Sequence, residues 1–262
     1  SGNDATVAIA EHIAGSEAAF VDLMNRYAEE MGLTGTHFEN SHGLPHPDHL
    51  STARDLAVTA TAAIRDHPKR YAVYKEQSYT YNDITQHNRN HLLREDDSVD
   101  GLKTGYTSVA GYGLVASAQR EGMRLISVVM GSSSASSRKS ETRSLLNYGF
   151  RFYETATPLR GGEELTQGRV WKGQAPQVAL GVTTDVMLTL PRSTAEIIPS
   201  VEIDGPLIAP LKAGDVVGRV ILTRAGESVG EAPLEVLQSV ESAGFFARLW
   251  DTILLWFQQL LG

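Results

Sequence analysis

Lys103-Thr104-Gly105 sets a cation, a hydroxyl and a backbone without a side chain in a row. On a strand, that order suits a substrate carboxylate held by ammonium and hydroxyl, with a second chain lying close along the glycine. Taken alone, a turn lysine explains the triplet equally well. Ser1-Gly2-Asn3 offers a hydroxyl and an amide at what reads as a helix start, where both residue types usually serve as caps. Ser136-Ser137-Arg138-Lys139 has the serine–lysine spacing of an activated nucleophile. It opens a polar stretch leading into a helix, so a capping serine and a solvated helix start are expected instead. Arg89, between Asn88 and Asn90, suits either a bound carboxylate or a structural ion pair. His37, His42, His46 and His49 share one Gly/Pro-rich segment. They have neither HExxH spacing nor a common helix face, so no metal and no cofactor is expected.

The pair Ser-x-Asn and Lys-Thr-Gly, in that order, is far more telling than either part. Together with an S-x-x-K serine they form the signature of β-lactamases and penicillin-binding proteins. Tyr27-Ala28-Glu29, Thr36-His37-Phe38-Glu39, His42-Gly43-Leu44, Asn88-Arg89-Asn90, Val99 to Gly105, Val128 to Gly131 and Gly149-Phe150-Arg151-Phe152 follow in register. Read together, these segments resemble the bacterial D-alanyl-D-alanine carboxypeptidases, the low-molecular-mass penicillin-binding proteins. The likeness is close over residues 1 to about 155 and looser beyond.

The resemblance implies a serine acyl-enzyme that removes the terminal D-Ala from peptidoglycan stem pentapeptides and is acylated by penicillins. It assigns Ser1 to a proton relay, Asn3 to the substrate amide, and Lys103 to electrostatic support of the relay and attraction of the terminal carboxylate. Thr104 would bind that carboxylate, and the strand from Lys103 through Gly105 to Tyr106 would dock the peptide edge-on. A backbone N–H near Tyr106 would serve the oxyanion hole. His42 would face the substrate groove, against the alternative of a surface loop residue. The S-x-x-K nucleophile of the family is expected upstream of Ser1, so the chain reads as part of a longer protein and is expected to be inert by itself. An N-terminal segment or a second chain would supply the serine. A D,D-endopeptidase, a β-lactamase of the same superfold and an inert cell-wall-binding protein are the alternatives.

The elements that must position these residues follow from periodicity. Apolar spacing predicts helices between Asp4 and Met31, broken at Gly15-Ser16 with Ser16 as a cap, and again from Ser51 or Thr52 to Arg65. Residues 32–49 read as a loop, and Tyr79, Tyr81 and Ile84 alternate like one short strand. Leu102–Tyr106, Gly111–Ala118 and Met123–Met130 read as strands, the last two joined as a hairpin, followed by a serine-rich loop and a helix from about Ser140 to Tyr153.

The expected fold is α+β. Residues 1–155 form part of a transpeptidase/β-lactamase-like domain, an antiparallel sheet flanked by helices. Residues 156–243, with short β-rich runs split by Gly and Pro, form a small all-β domain. Residues 244–262 carry an amphipathic helix. Phe246, Leu249, Trp250, Ile253, Trp256 or Phe257, and Leu260 fall on one face, and Arg248, Asp251, Thr252, Gln258 and Gln259 on the other. That pattern suits an in-plane membrane anchor, and the resemblance implies a periplasmic protein attached peripherally to the inner-membrane surface.

Composition agrees with this frame. The 262 residues carry a net charge of −8, a poor match for nucleic acid, whose phosphates call for basic patches. Cysteine is absent, which removes disulfides, thiol nucleophiles and Cys-ligated zinc. No apolar run reaches the ~18 residues of a spanning helix.

Overall fold

A computed structural model describes the backbone of residues 1–261 and the side chains of residues 1–257. Gln258, Gln259 and Leu260, assigned above to helix faces, lie outside the described side chains. The chain divides into two units, Ser1–Arg151 and Phe152–Gly262.

The first unit begins with α1 (Asn3–Ala14) and α2 (Glu17–Glu30). Gly15 adopts φ +81° and returns its N–H to Glu11 O, closing α1 in the left-handed conformation that glycine tolerates best. Ser16 then caps α2, its Oγ accepting the Ala19 N–H at 3.2 Å, as its position in the sequence predicts. Helix α3 (Ala53–Asp66) is capped by Thr52, whose Oγ1 accepts the Asp55 N–H at 3.1 Å. A short α4 (Pro68–Tyr71) follows.

Residues 78–87 form two strands rather than one. β1 (Ser78–Tyr81) turns back into β2 (Ile84–His87) through Asn82-Asp83, both at positive φ, the residue types that make two-residue hairpin turns. Strands β3 (Val99–Thr107), β4 (Gly111–Arg120) and β5 (Met123–Ser132) build an antiparallel sheet in that order, so β3 lies at its edge. Helix α5 (Ala135–Phe152) starts five residues earlier than its periodicity predicts. Ser134 Oγ accepts the Ser137 N–H at 3.0 Å and nucleates the first turn inside the serine-rich stretch. Leu92, Leu93, Val99, Leu114, Ala116, Ala118 and Leu146 are the buried core of this unit.

The second unit is β-rich: β6 (Tyr153–Leu159), β7 (Glu164–Trp171), β8 (Gln177–Gly181), β9 (Val186–Pro191), β10 (Ile197–Ile203), β11 (Leu207–Ile208), β12 (Val216–Arg224) and β13 (Glu227–Val236). One sheet runs β10-β12-β13-β8-β7-β11, and β6 pairs with β9. Alternating apolar positions, among them Val220, Leu222, Leu234 and Val236, fill its core. The last helix, α6 (Phe245–Leu261), is tied to this unit where Asp251 accepts the Lys172 N–H at 2.5 Å. Its apolar face is unburied: Phe246 is 83 % exposed and Trp250 63 %. No described helix is long and apolar enough to cross a membrane.

Candidate active site

The edge strand β3 carries the Lys-Thr-Gly triplet, and several inward-facing groups hold it in place. Asp100 accepts the Tyr71 hydroxyl at 2.7 Å and pairs with Arg124 at 2.8 Å, and Arg124 also donates to Ser117 Oγ at 2.6 Å. Gly101 lies so close beneath Tyr71 that a Cβ there would stand 2.5 Å from its hydroxyl oxygen. Asn90 is buried with both ends of its amide engaged: its Nδ2 donates to Gly101 O at 3.1 Å and its Oδ1 accepts the Leu92 N–H at 3.2 Å. Asn88 Oδ1 in turn accepts the Asn90 N–H at 2.9 Å. The two asparagines thus clamp the backbone, and Arg89 between them is presented beside β3.

On this frame the structure brings Ser1 and Lys103 together across 102 residues of sequence. Lys103 Nζ donates to Ser1 Oγ at 2.8 Å and to Thr104 O at 2.5 Å. The lysine side chain as a whole reaches solvent, but its ammonium is turned inward onto these oxygens. Burial first, then the positive charges of Arg89 and Arg138, hold the Lys103 pKa below the ordinary lysine value. A hydroxyl hydrogen-bonded to such an ammonium is a ready proton relay.

The other predicted residues are placed with different clarity. Asn3 is the exposed first residue of α1, two positions from Ser1. The pleat sets Lys103 and Gly105 on one face of β3 and Thr104 on the other, where it is 8 % exposed. Tyr106 is exposed and its ring leans on Tyr112, centroids 4.2 Å apart. Arg89 comes near enough to Lys103 to depress its pKa. His42 is engaged elsewhere: its Nε2 lies 3.7 Å from Glu17 Oε1, which also accepts the Ser41 N–H at 3.0 Å. No described contact joins His42 to Ser1 or Lys103.

Ser136-x-x-Lys139 forms the first turn of α5. Lys139 pairs with Glu95 at 2.7 Å, and Ser137 hydrogen-bonds Ser134 at 2.9 Å. The expectation of a solvated helix start fails for Arg138, which is 8 % exposed. Its Nη1 donates to Gly105 O at 3.0 Å and Gly113 O at 3.2 Å, and its guanidinium lies 5.6 Å from the Tyr112 ring centroid. This buried cation braces the site strand from below. The signal was in the sequence: 138, 142 and 146 repeat every four residues, and Arg138, Thr142 and Leu146 are the buried stripe of α5.

Comparisons with known proteins agree with this geometry. Residues 1–134 match the family model described as D-alanyl-D-alanine carboxypeptidase, and residues 153–242 match that of the penicillin-binding protein 5 C-terminal domain. D-alanyl-D-alanine carboxypeptidase DacC of Escherichia coli K12 is 45 % identical over 265 residues, covering 100 % of this chain and 66 % of the relative. The crystal structure of penicillin binding protein 5 from Haemophilus influenzae is 44 % identical with a TM-score of 0.83, covering 92 % of this chain and 71 % of that one. Penicillin-binding protein D2 from Listeria monocytogenes, in its ampicillin-bound form, is 32 % identical with a TM-score of 0.53 over 56 % of this chain and 62 % of that one. The chain therefore spans just under two thirds of the length of the curated relatives it matches. By motif, by fold and by identity over its whole length, this chain belongs to the D-alanyl-D-alanine carboxypeptidase family.

Proposed function

We propose that the full-length protein is a serine-type D-alanyl-D-alanine carboxypeptidase acting on peptidoglycan stem peptides, and that this chain supplies the relay and substrate side of its active site. The observation that carries the reading is the 2.8 Å hydrogen bond from Lys103 Nζ to Ser1 Oγ at the sheet edge. The nucleophilic serine comes from an S-x-x-K motif outside these 262 residues, because the S-x-x-K present here lies in the first turn of α5 with its Lys139 paired to Glu95.

The reaction then runs in two steps. The serine gives its proton to the lysine of its own S-x-x-K motif as its oxygen attacks the penultimate D-Ala carbonyl, and the amide bond to the terminal D-Ala breaks. The leaving amine takes its proton through the Ser1 hydroxyl, and water afterwards cleaves the ester. The Lys103 ammonium draws in the terminal carboxylate, Asn3 holds the substrate amide, and the chain docks along Gly105–Tyr106. Arg89 adds positive potential for the same carboxylate. A β-lactam presents the same carboxylate and carbonyl, and the ampicillin-bound Listeria relative supports that partner.

Peripheral attachment to the periplasmic face of the inner membrane through residues 245–261 completes the reading. The exposed Phe246, Leu249, Trp250 and Trp256 of α6 support it.

The test is the intact mass of the full-length protein before and after incubation with a penicillin. A gain of one penicillin per molecule, reached far more slowly by Ser1→Ala and Lys103→Ala variants, is expected. A mass that does not move, in protein that is folded and of full length, overturns the enzyme reading in favour of a wall-binding role. Rapid release of the adduct instead assigns a β-lactamase.

A further inference from the structure

The loop that follows α2 gathers ligating groups that the active site does not use. Glu39, His46 and Asp48 place a carboxylate oxygen, an imidazole nitrogen and a second carboxylate oxygen within 4.8 Å of one another. His46 Nδ1 stands 3.8 Å from Glu39 Oε2 and 4.0 Å from Asp48 Oδ2. That nitrogen also accepts the Asp48 N–H in a long 3.3 Å bond, which a bound cation would replace. The other oxygen of Glu39 is taken by His37, whose Nε2 lies 3.1 Å away.

We propose that Glu39, His46 and Asp48 bind a borderline divalent cation of the Zn2+ class, with His37 as the outer partner that orients Glu39. The donor set decides the class. One imidazole nitrogen with two carboxylates suits a nitrogen- and oxygen-binding ion, whereas Ca2+ calls for six or more oxygens. Tetrahedral ligands around Zn2+ stand about 3.3 Å apart. The two His46 separations of 3.8 and 4.0 Å therefore close by about half an ångström or slightly more, and the carboxylate pair, within 4.8 Å, by up to about 1.5 Å, which rotation of exposed side chains supplies. A histidine bonded to the far oxygen of a ligating carboxylate is the usual second layer of such a centre.

The surrounding backbone holds these groups in place. Asn25 exchanges two 2.8 Å hydrogen bonds with the backbone of Phe38, and His37 and Leu50 bridge at 2.9 Å in both directions. His49 Nδ1 accepts the Glu39 N–H at 3.2 Å, so His49 frames the site rather than ligating through that nitrogen. Sequence spacing could not show this centre. Its ligands come from a folded-back loop, not from one helix face, and the expectation that the four histidines hold no metal rested on helix spacing alone.

The experiment is calorimetric titration of ZnCl2 into the full-length protein in a buffer that does not chelate metals. Saturable one-to-one binding is expected. His46→Ala and Glu39→Gln should weaken it at least about tenfold, and His37→Ala by about 10- to 100-fold as an outer-layer partner. Asp48→Asn, nearly isosteric and on an exposed side chain, should also weaken it and guards against misfolding as the cause. His67→Ala, outside the loop, should leave it unchanged, and CaCl2 should not displace the zinc. The proposal is overturned if binding does not saturate, if the loop variants bind like the parent, if His67→Ala abolishes binding, or if Ca2+ competes equally.

Discussion

At the scale of single residues, Lys103 carries the most consequence. Its ammonium is drawn toward Ser1 and away from water, with Arg89 and Arg138 adding like charge, and all three effects lower its pKa. If the proposed step needs the charged ammonium, acylation by penicillin falls as pH rises through that lowered value. The alkaline limb of the rate profile is therefore expected below the pH of an ordinary lysine. Lys103→Arg stays charged at every accessible pH, so the alkaline fall should vanish while part of the rate survives. Lys103→Ala should cost about 10²–10³-fold in acylation, the scale of one electrostatic contact removed from such a site. Stopped-flow rates with a fluorescent penicillin across pH check all three statements. Gly101 sets a different kind of limit. A methyl there meets the Tyr71 hydroxyl at 2.5 Å, and Tyr71 is held by Asp100. Gly101→Ala should therefore destabilise by about 1–3 kcal/mol through overpacking, read as a lowered midpoint in urea. The triplet and its serine partner were legible from residue types and order. Arg138 was not, because a guanidinium among serines and lysines reads as solvated unless its four-residue repeat with Thr142 and Leu146 is weighed.

At the scale of elements, β3 is an edge strand that must stay straight and open for a substrate chain. Edge strands are weakly held on their free side, so the support comes from the sheet side and from beneath. Arg138 gives that support by donating to Gly105 O and Gly113 O, one carbonyl on each of the paired strands β3 and β4. Arg138→Ala leaves both carbonyls short of a donor and should cost about 1–3 kcal/mol. For a unit of this size that is a fall of a few degrees in melting temperature per kcal/mol. Arg138→Lys should recover only part of it, since an ammonium is a single point donor where the guanidinium is a fork. Differential scanning calorimetry of the pair, with acylation rates alongside, separates bracing from chemistry: bracing predicts that stability and rate fall together. Helices α1, α2 and α3 were readable because caps and apolar spacing coincide at Ser16 and Thr52. The β1–β2 hairpin was not, since Asn82-Asp83 lacks the glycine that usually marks such a turn and both residues instead take positive φ. The start of α5 was missed for a related reason: a run of serines reads as a loop until one of them is seen to cap.

At the scale of the whole molecule, chemistry and attachment are assigned to different parts of the chain. The residues of the proposed site lie within Ser1–Arg151, and the apolar face of α6 belongs to the unit that begins at Phe152. In the sequence, the texture change near residue 155, from helical spacing to short runs split by Gly and Pro, is the feature that suggests a division, and the contacts of the structure divide the chain after Arg151. Helix α6 is about 26 Å long at 1.5 Å per residue, and Arg248 and Asp251 are its only charged residues. Arg248 is its single cation and the Asp251 carboxylate repels negative headgroups, so the helix has little attraction for anionic lipid. Burial of the aromatic face must then supply most of the holding energy, at about 25 cal/mol per Å2 of apolar surface. Two consequences follow that distinguish an anchor from a structural helix. Full-length protein should float with zwitterionic vesicles nearly as well as with anionic ones, and salt should release little of it. Protein ending before Gly244 should remain in the soluble fraction, yet take up penicillin at the parental rate, because nothing in the proposed site lies beyond Arg138. Recovery of the shortened protein with lipid would place the attachment elsewhere, and loss of acylation on shortening would show that the two functions are not separable along this chain.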